Sequence, residues 1–505
     1  MGLEIRKERR DGWGMSNHSV CHVARPVSAD DVVEAYAVAR ERGWTVAFWG
    51  NGRSYGDAAL NESNLLLDFR QMSKVLSFDT ETGVLTAEPG ITLNELERHV
   101  MPAGWFPPVV SGTMHTTLGG CISANVHGKN NLKYGPWGDH VLELELVSPD
   151  GQTRTLRREA EDDLERELFH FVIGGFGLLG AVTRITVQLK RIHSGRLWVL
   201  PISADDIHEM FRHFRRYNDE GYDYVVGWID AFPGGGALGR GQIHAARYCE
   251  PNEDPEGTAL LDPRNQTLPT RLFGLIPMGW LWWLGKPGRH RLGFRLINLG
   301  RFWWLKWFGH EGEPHLETHI RFNHLLDFVP NWKWVYTPHS LIQYQLFLPK
   351  ETAEEQVARV LELCRHEKLE SWLVVMKRHR SDTYPLSHAV DGYSFAMDFI
   401  VTEGNRGRLH RLANRLDRMV VEAGGRFYFA KDAVVQPEAW RRSLGDAVIG
   451  RLFALKRMVD PNHQIQGNLW RRVMAPLAAE VPLLEEPLPQ LQLDALVASK
   501  EPTEA

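Results

Sequence analysis

Short runs of alternating apolar and polar residues dominate the first 190 positions, broken by a few stretches at helical spacing. Val32, Val33, Tyr36 and Arg40 keep a helical period, and Ser28 with Asp31 resembles a capping box, which predicts a helix over 28–43. Strands are predicted at 46–49, 65–68, 75–78 and 84–88, and a helix at 92–100. Residues 142–147 and 153–156 flank Pro149-Asp150-Gly151, a hairpin pattern. A charged helix at 159–171 leads to Gly174-Gly175-Phe176-Gly177 and a strand at 182–189. Further on, strands are predicted at 341–348, 372–376 and 394–401, and a helix at 352–366 opened by Thr352 with Glu355. The stripe Leu409, Leu412, Leu416, Met419, Val420 predicts a helix over 409–423 that stops at Gly424-Gly425. A last helix is predicted over 437–458, ending at Asp460-Pro461, and the Pro-, Leu- and Glu-rich residues beyond about 475 read as a loosely attached tail. Strands and helices mixed without regular βαβ alternation read as α+β.

Composition narrows the function classes. The chain has 505 residues, enough for two or more units, and a net charge of −5, which argues against a general nucleic-acid binder. Cys21, Cys121, Cys249 and Cys364 are far apart, with no CxxC pair, so a reducing compartment is expected and no metal site. The first residues lack the apolar core of a secretory signal, and no apolar run approaches the roughly 20 residues of a spanning helix. Residues 271–310 stand out. They hold Trp280, Trp282, Trp283, Trp303, Trp304 and Trp307 among seven basic residues and no acidic one. One reading is a surface that dips into a bilayer, since Trp favours the interface and Lys or Arg favours anionic headgroups. The other is a lid or core segment whose tryptophans pack inside.

The candidate chemistry lies in small-residue loops. A strand at 46–49 runs into Gly50-Asn51-Gly52-Arg53-Ser54-Tyr55-Gly56-Asp57. Such a turn can expose backbone N–H groups to an anion, with hydroxyls and Arg53 beside it. No helical pattern follows, so the Rossmann and P-loop readings fail. A second block runs from Ser111, Gly112 and Thr113 through Thr117, Leu118, Gly119, Ser123 and Asn125 into His127-Gly128-Lys129-Asn130. A third spans Gly174, Gly177 and Gly180, just before Val182.

Together these strings resemble the FAD-binding domain of the vanillyl-alcohol-oxidase superfamily and, more narrowly, the decaprenylphosphoryl-ribose 2-oxidase family. Trp228-Ile229-Asp230, Gln343-Tyr344-Gln345, Lys377, Met397-Asp398-Phe399 and Tyr428-Phe429-Ala430-Lys431-Asp432 match in order, so the resemblance covers roughly residues 10–470. It implies a PCMH-type two-domain fold: an FAD domain from 1–195 and 425–475, a substrate domain over 196–424 that includes 271–310, and the tail from 476 to 505. It also implies FAD as cofactor, held by the three loops and Tyr428. Arg53 stands where covalent-flavin members often carry His, so the flavin is expected to be non-covalent; Cys121 is expected to pack as a small buried residue.

The implied reaction oxidises the 2-hydroxyl of a polyprenylphosphoryl ribose by hydride transfer to flavin N5, the first half of a ribose-to-arabinose epimerisation. An NAD(P)H-dependent short-chain reductase would complete it, and the enzyme would sit in the cytoplasm on the inner membrane surface. Lys431, His127 and Tyr55 are the catalytic candidates. Lys431 acts either as a charged positioning group or as a base, and His127 as a base or a flavin-facing donor. Trp228, Asn323, Gln343, Gln345, Lys377 and Lys431 are the substrate candidates, with Lys377 suited to a phosphate. Ala396 replaces a cysteine of the family pattern, and Asn323-His324-Leu325 replaces an aromatic-His-Pro, which leaves the exact lipid sugar open. The alternatives are an FAD oxidase or dehydrogenase for another sugar, alditol or aldonolactone, and a non-catalytic flavin- or lipid-binding accessory protein.

Overall fold

The computed structural model describes residues 3–272 and 274–488. Three sheets form its frame. Ile5–Asp11, His18–Ala24, Leu65–Asp68 and Val46–Trp49 make a four-stranded sheet whose last two pairings are parallel. Helix Ala29–Glu41 starts at Ser28, whose hydroxyl accepts from the Asp31 amide, and buries Val32, Ala35, Tyr36 and Ala39. An antiparallel five-stranded sheet runs Val75–Phe78, Val84–Ala87, Ala181–Gln188, Val141–Val147, Thr153–Arg157.

The third sheet is antiparallel and eight-stranded, in the order His315–Thr318, Arg196–Ala204, Gly241–Tyr248, Tyr224–Ile229, Leu373–His379, Gly392–Val401, Ser340–Pro349, Arg426–Phe427. Its side chains alternate between two faces. Even-numbered positions of Ser340–Pro349 face helix Arg406–Glu422, where the Tyr344 hydroxyl donates to Asp417. Odd-numbered ones, Gln343 and Gln345, face the other way, toward the small-residue loops. The fold is α+β, of the PCMH type with two domains.

Several elements depart from the pattern. The helix expected over 437–458 is two helices, Pro437–Leu444 and Asp446–Val459, because Gly445 adopts φ 88° between them. Thr352 does not cap its helix; its hydroxyl turns back to the Pro349 carbonyl. Arg426–Phe427, beyond the expected boundary at 424, is the edge strand of the eight-stranded sheet, because Gly424 at φ 71° turns the chain straight into it. The chain rejoins its first half directly after this strand, where the Tyr55 amide donates to the Ala430 carbonyl, and further contacts follow. Lys456 is buried with Asp460 and donates to the Leu178 carbonyl, and Arg451 pairs with buried Glu167. The tail is packed as far as 488: helix Ala475–Ala478 buries Leu477, Val481 and Leu488 are buried, and Arg451 holds the Leu484 and Glu485 carbonyls. The apolar residues among its prolines explain this; positions 489–505 lie outside the described residues.

The Trp-rich segment carries helix Arg291–Phe308, which turns Phe294, Asn298, Phe302 and Leu305 inward. Leu292, Leu296, Ile297, Trp304, Trp307 and Phe308 are exposed, as are Trp280, Trp283 and Trp303. Trp282 makes an edge contact with Trp334, whereas the large exposed surfaces of Trp280, Trp283, Trp303, Trp304 and Trp307 do not match the core-packed reading. Among the described residues no helix is long and apolar enough to cross a membrane.

Candidate active site

A cavity of about 660 Å³ lies between the small-residue loops and the eight-stranded sheet. One wall is rich in glycine and small hydroxyl residues, among them Gly50, Gly52, Ser54, Gly112, Thr117 and Gly119. A Cβ on Gly50 would meet Thr117 Oγ1 at 2.4 Å, and one on Gly119 would meet Pro89 at 2.7 Å. Thr117 uses the same oxygen to cap the short helix Leu118–Ser123. Gly52 has φ 61° and Gly177 φ 72°, conformations that an L side chain resists. Asn51 Nδ2 donates to the His115 carbonyl at 2.8 Å and so ties the first two loops together. The Arg53 guanidinium stacks over Trp13 at 4.4 Å, and its buried Nε has no partner among the described residues.

The opposite wall is made of side chains on alternating sheet positions. Register pairs Gln343 with Asp398, Gln345 with Ala396, Ala396 with Val375, and Val375 with Trp228. A second row pairs Ser394 with Lys377, Lys377 with Val226, and Val226 with His244. Lys431 enters at the corner of the two walls. The Tyr55 amide donates to the Ala430 carbonyl at 2.9 Å, which joins the first loop to the 428–432 turn, and Lys431 Nζ sits 4.0 Å from the Tyr55 ring centre. Arg472 bridges Asp57 and Asp432 and fixes the same junction from behind.

Burial shapes the electrostatics. Desolvation, then the charges of Lys377, His379, His388 and Lys431, holds His127 well below its ordinary value, so its ring is neutral. His127 Nε2 lies 3.0 Å from Gln345 Nε2, and Nδ1 lies 3.5 Å from Lys377 Nζ. A neutral imidazole has one N–H, so one neighbour donates to the ring and the other accepts from it. The Gln345 amide nitrogen can only donate, so His127 Nε2 accepts from it and Nδ1–H faces Lys377, which accepts in its neutral form; burial and the Lys431 charge bring Lys377 down to about 7 and make that form available. Burial lowers Lys431 to about 8, against the pull of Asp398, and raises Asp398 to about 7. Gln343 Nε2 donates to Asp398 Oδ1 at 2.5 Å. Protons can therefore be held or released near neutrality at several atoms around one point of the cavity.

Most of the expected site residues line this cavity: Gly50 to Tyr55, Ser111, Gly112, Thr113, Thr117, Gly119, Ser123, His127, Gly177, Val182, Tyr428 and Lys431, and from the sheet Trp228, Gln343, Gln345 and Lys377. Seven do not. Gly56 packs on the Asp432 carbonyl, where a Cβ would come within 1.8 Å. Leu118 is core. Asn125 bonds Asp382 and Ser387, and Asn130 Nδ2 holds the Pro108 carbonyl. Gly128 packs against Asn130, and Gly174 (φ 78°) donates its amide to the Ile122 carbonyl. Asn323 is buried beside the cavity rather than in it. These residues shape the loops. Other lining residues were not expected: Trp13, Lys129, His244, Arg301 and Asp327. Lys129 was within the quoted motif, but His244 and Arg301 had no local signal.

Comparison with known proteins agrees with this arrangement. Residues 21–157 match the family described as FAD binding domain. Decaprenylphosphoryl-beta-D-ribose oxidase of Mycolicibacterium smegmatis is 28% identical over 480 residues, which cover 92% of this chain and 97% of that protein. Glycolate oxidase subunit GlcD of Bacillus subtilis is 32% identical over 170 residues, 33% of this chain and 36% of that protein. D-lactate dehydrogenase of Archaeoglobus fulgidus is 28% identical over 169 residues, 33% of this chain and 38% of that protein. The family likeness read from the motifs thus extends over nearly the whole chain. The protein is an FAD-dependent oxidoreductase. The cavity fits that cofactor: it falls within the usual range of roughly 300–1,000 Å³ for ligand sites, its loop wall is held close by Gly50 and Gly119, where a Cβ would strike Thr117 and Pro89, and Arg53, with its buried Nε unpartnered among the described residues, lines it.

Proposed function

We propose that the protein oxidises the 2-hydroxyl of a polyprenylphosphoryl pentose, ribose in the first instance, to the 2-keto sugar. The observation that carries this reading is the pairing of an FAD cavity with an exposed, basic, tryptophan-bearing helix on its rim, in a chain similar along its length to a decaprenylphosphoryl-ribose oxidase. Glycolate and lactate need no such surface. Bound FAD supplies a hydride acceptor. The three small-residue loops hold it without a covalent bond, since Arg53 forms no flavin link and Cys121 is buried, with its thiol pushed up to about 12 by burial.

The remaining chemistry belongs to the chain. Gln343 and Gln345 orient sugar hydroxyls from the sheet. Neutral His127 takes or relays the hydroxyl proton, with Lys377 beside Nδ1 to pass it on. Lys431, kept cationic by Asp398, positions the carbinol and steadies developing negative charge. Tyr55 packs under Lys431 and fixes its approach. The tryptophans and basic residues of 271–310 rest on a membrane surface, and a short-chain reductase acts on the keto product.

Anaerobic mixing of the holoenzyme with polyprenylphosphoryl-ribose, a free pentose, an alditol, glycolate and lactate tests the reading. Bleaching of the flavin by the lipid-linked sugar alone is expected. Bleaching by a soluble substrate while the lipid-linked sugar fails would overturn it.

A further inference from the structure

We propose that Arg301, Lys129, His244 and Lys377 together form the seat of the substrate's phosphate group, Arg301 being supplied by the inner face of the same helix that turns its tryptophans outward. This rests on the substrate reading above and adds the place of its anion.

Helical spacing puts Phe294, Asn298, Arg301 and Leu305 on one face of Arg291–Phe308. Asn298 fixes that face to the sheet by donating to Asp230 Oδ1 and to the Trp372 carbonyl. One turn on, the Arg301 guanidinium carbon lies over the Trp228 ring, 4.3 Å from its centre. Gln242 Nε2 donates to the Arg301 carbonyl at 2.8 Å, and Arg301 Nε donates to Gln242 Oε1 at 3.3 Å. The guanidinium is thereby oriented through its Nε edge. Its terminal nitrogens make no hydrogen bond to the described residues and keep free surface in the cavity that Arg301 lines.

The other three groups converge on the same region. His244 and Lys377 belong to one register row with Val226 between them, two strand spacings apart. That is about 10 Å, wide enough for a tetrahedral anion with a charge-assisted hydrogen bond of about 2.8 Å on each side. Lys129 comes from the opposite wall, its Nζ 4.4 Å from the Phe322 ring and bonded to the Phe322 carbonyl. Among the described residues none of Arg301, Lys129 and Lys377 pairs with a carboxylate, and His244, brought down to about 3 by burial and then the Arg301 and Lys129 charges, takes part as a neutral N–H donor. Arg301 keeps exposed surface, Lys129 is buried and Lys377 half-buried, and burial with like charge lowers both lysines to about 7. Positive charge gathered there without a counter-ion is costly, and an anionic ligand would relieve it.

The position also matches the chemistry. Lys377 touches both the anion seat and His127, where the hydroxyl proton goes. The phosphate and the oxidised carbon are therefore neighbours, as they are when the phosphate is on C1 and the hydroxyl on C2. With the outer face of the helix on the lipid surface, a phosphate at Arg301 needs only one helix diameter of reach, about 10 Å.

The test uses farnesyl phosphate, farnesol and farnesoic acid titrated into the holoenzyme, with calorimetry and flavin absorbance as readouts. The phosphate is expected to bind at least tenfold tighter than the alcohol or the carboxylate. Arg301→Gln is expected to lose tenfold or more of phosphate affinity without changing farnesol, and Arg301→Lys to recover part of it. Equal binding of phosphate and alcohol by the unaltered enzyme overturns the proposal, whether or not the variants fold. So does carboxylate binding as tight as phosphate, or unchanged phosphate affinity in a flavin-replete Arg301→Gln. If the phosphate binds as expected but polyprenylphosphoryl-ribose fails to bleach the flavin, the sugar reading falls and the anion seat stands.

Discussion

The two walls of the cavity are built by opposite means. The loop wall works by what it lacks: at Gly50 and Gly119 the neighbouring chain leaves no room for even one methyl group. The sheet wall works by what it projects: Gln343, Gln345, Lys377, Trp228 and His244 are long or aromatic side chains on four strands. The difference separates two jobs. Backbone and small residues make a surface that accepts a large flat cofactor. Side chains in register make a surface whose charges and protons can be tuned one position at a time.

The strongest test of that division is a substitution at the corner. Lys431→Ala is expected to leave flavin content unchanged and to slow flavin reduction by substrate by about 10²–10³-fold, the usual weight of one group that stabilises developing charge. Rapid-mixing absorbance of the reductive half-reaction measures it; full turnover would remove Lys431 from the site. The loop wall should respond the other way. Gly56→Ala forces a Cβ to within 1.8 Å of the Asp432 carbonyl, and displacing that backbone is expected to cost about 1–3 kcal/mol of stability. Gly50→Ala drives the new methyl into Thr117 Oγ1 and is expected to lower the flavin-to-protein absorbance ratio. A Gly50→Ala protein that keeps its flavin but loses activity would erase the distinction between the walls.

The same contrast explains what was legible in the sequence. Loop-wall residues must satisfy local backbone constraints, so Gly50-Asn51-Gly52 and the block after Ser111 are visible as strings. Even there the strings do not separate residues that face the cavity from Gly56, Asn125 and Asn130, which hold the loops in shape, because both needs select the same residue types. The sheet wall is assembled from strands up to 170 positions apart. Gln343 and Lys377 were readable beside the family motifs, but His244 was not: only the register through Val226 brings it into the row. Arg301 was hidden for another reason. It sits in a run of Trp and basic residues that looks uniform, and only the helix phase fixed by Phe294 and Asn298 turns it inward.

A milder perturbation is pH, which acts on the corner and the sheet wall through Lys431 and Lys377. Lys431 is cationic below about 8 and loses its charge above that value. If its charge positions the carbinol, flavin reduction falls as pH rises through 8, by at most about tenfold per unit for one proton. Lys377, at about 7, adds to the fall from lower pH. Asp398→Asn removes the neighbour that raises Lys431 and should move the fall to lower pH. A rate that climbs through the same range would make Lys431 a base instead.

The smallest effect is expected outside the cavity, on the outer face of the helix whose inner face supplies Arg301. Trp304 and Trp307 are 53% and 67% exposed, so replacing both by Ser removes little packing and should leave the fold and the flavin unchanged. Association with vesicles containing anionic lipid should weaken by about tenfold, because the interface loses two aromatic anchors while the basic residues remain. Co-sedimentation measures this directly. Flavin reduction by a short, water-soluble prenylphosphoryl-ribose should not change, whereas reduction by a long-chain substrate presented in vesicles should slow in step with the lost binding. Equal slowing with both substrates would mean that the outer tryptophans act through Arg301 and the cavity, and that the two faces of the helix are not separable.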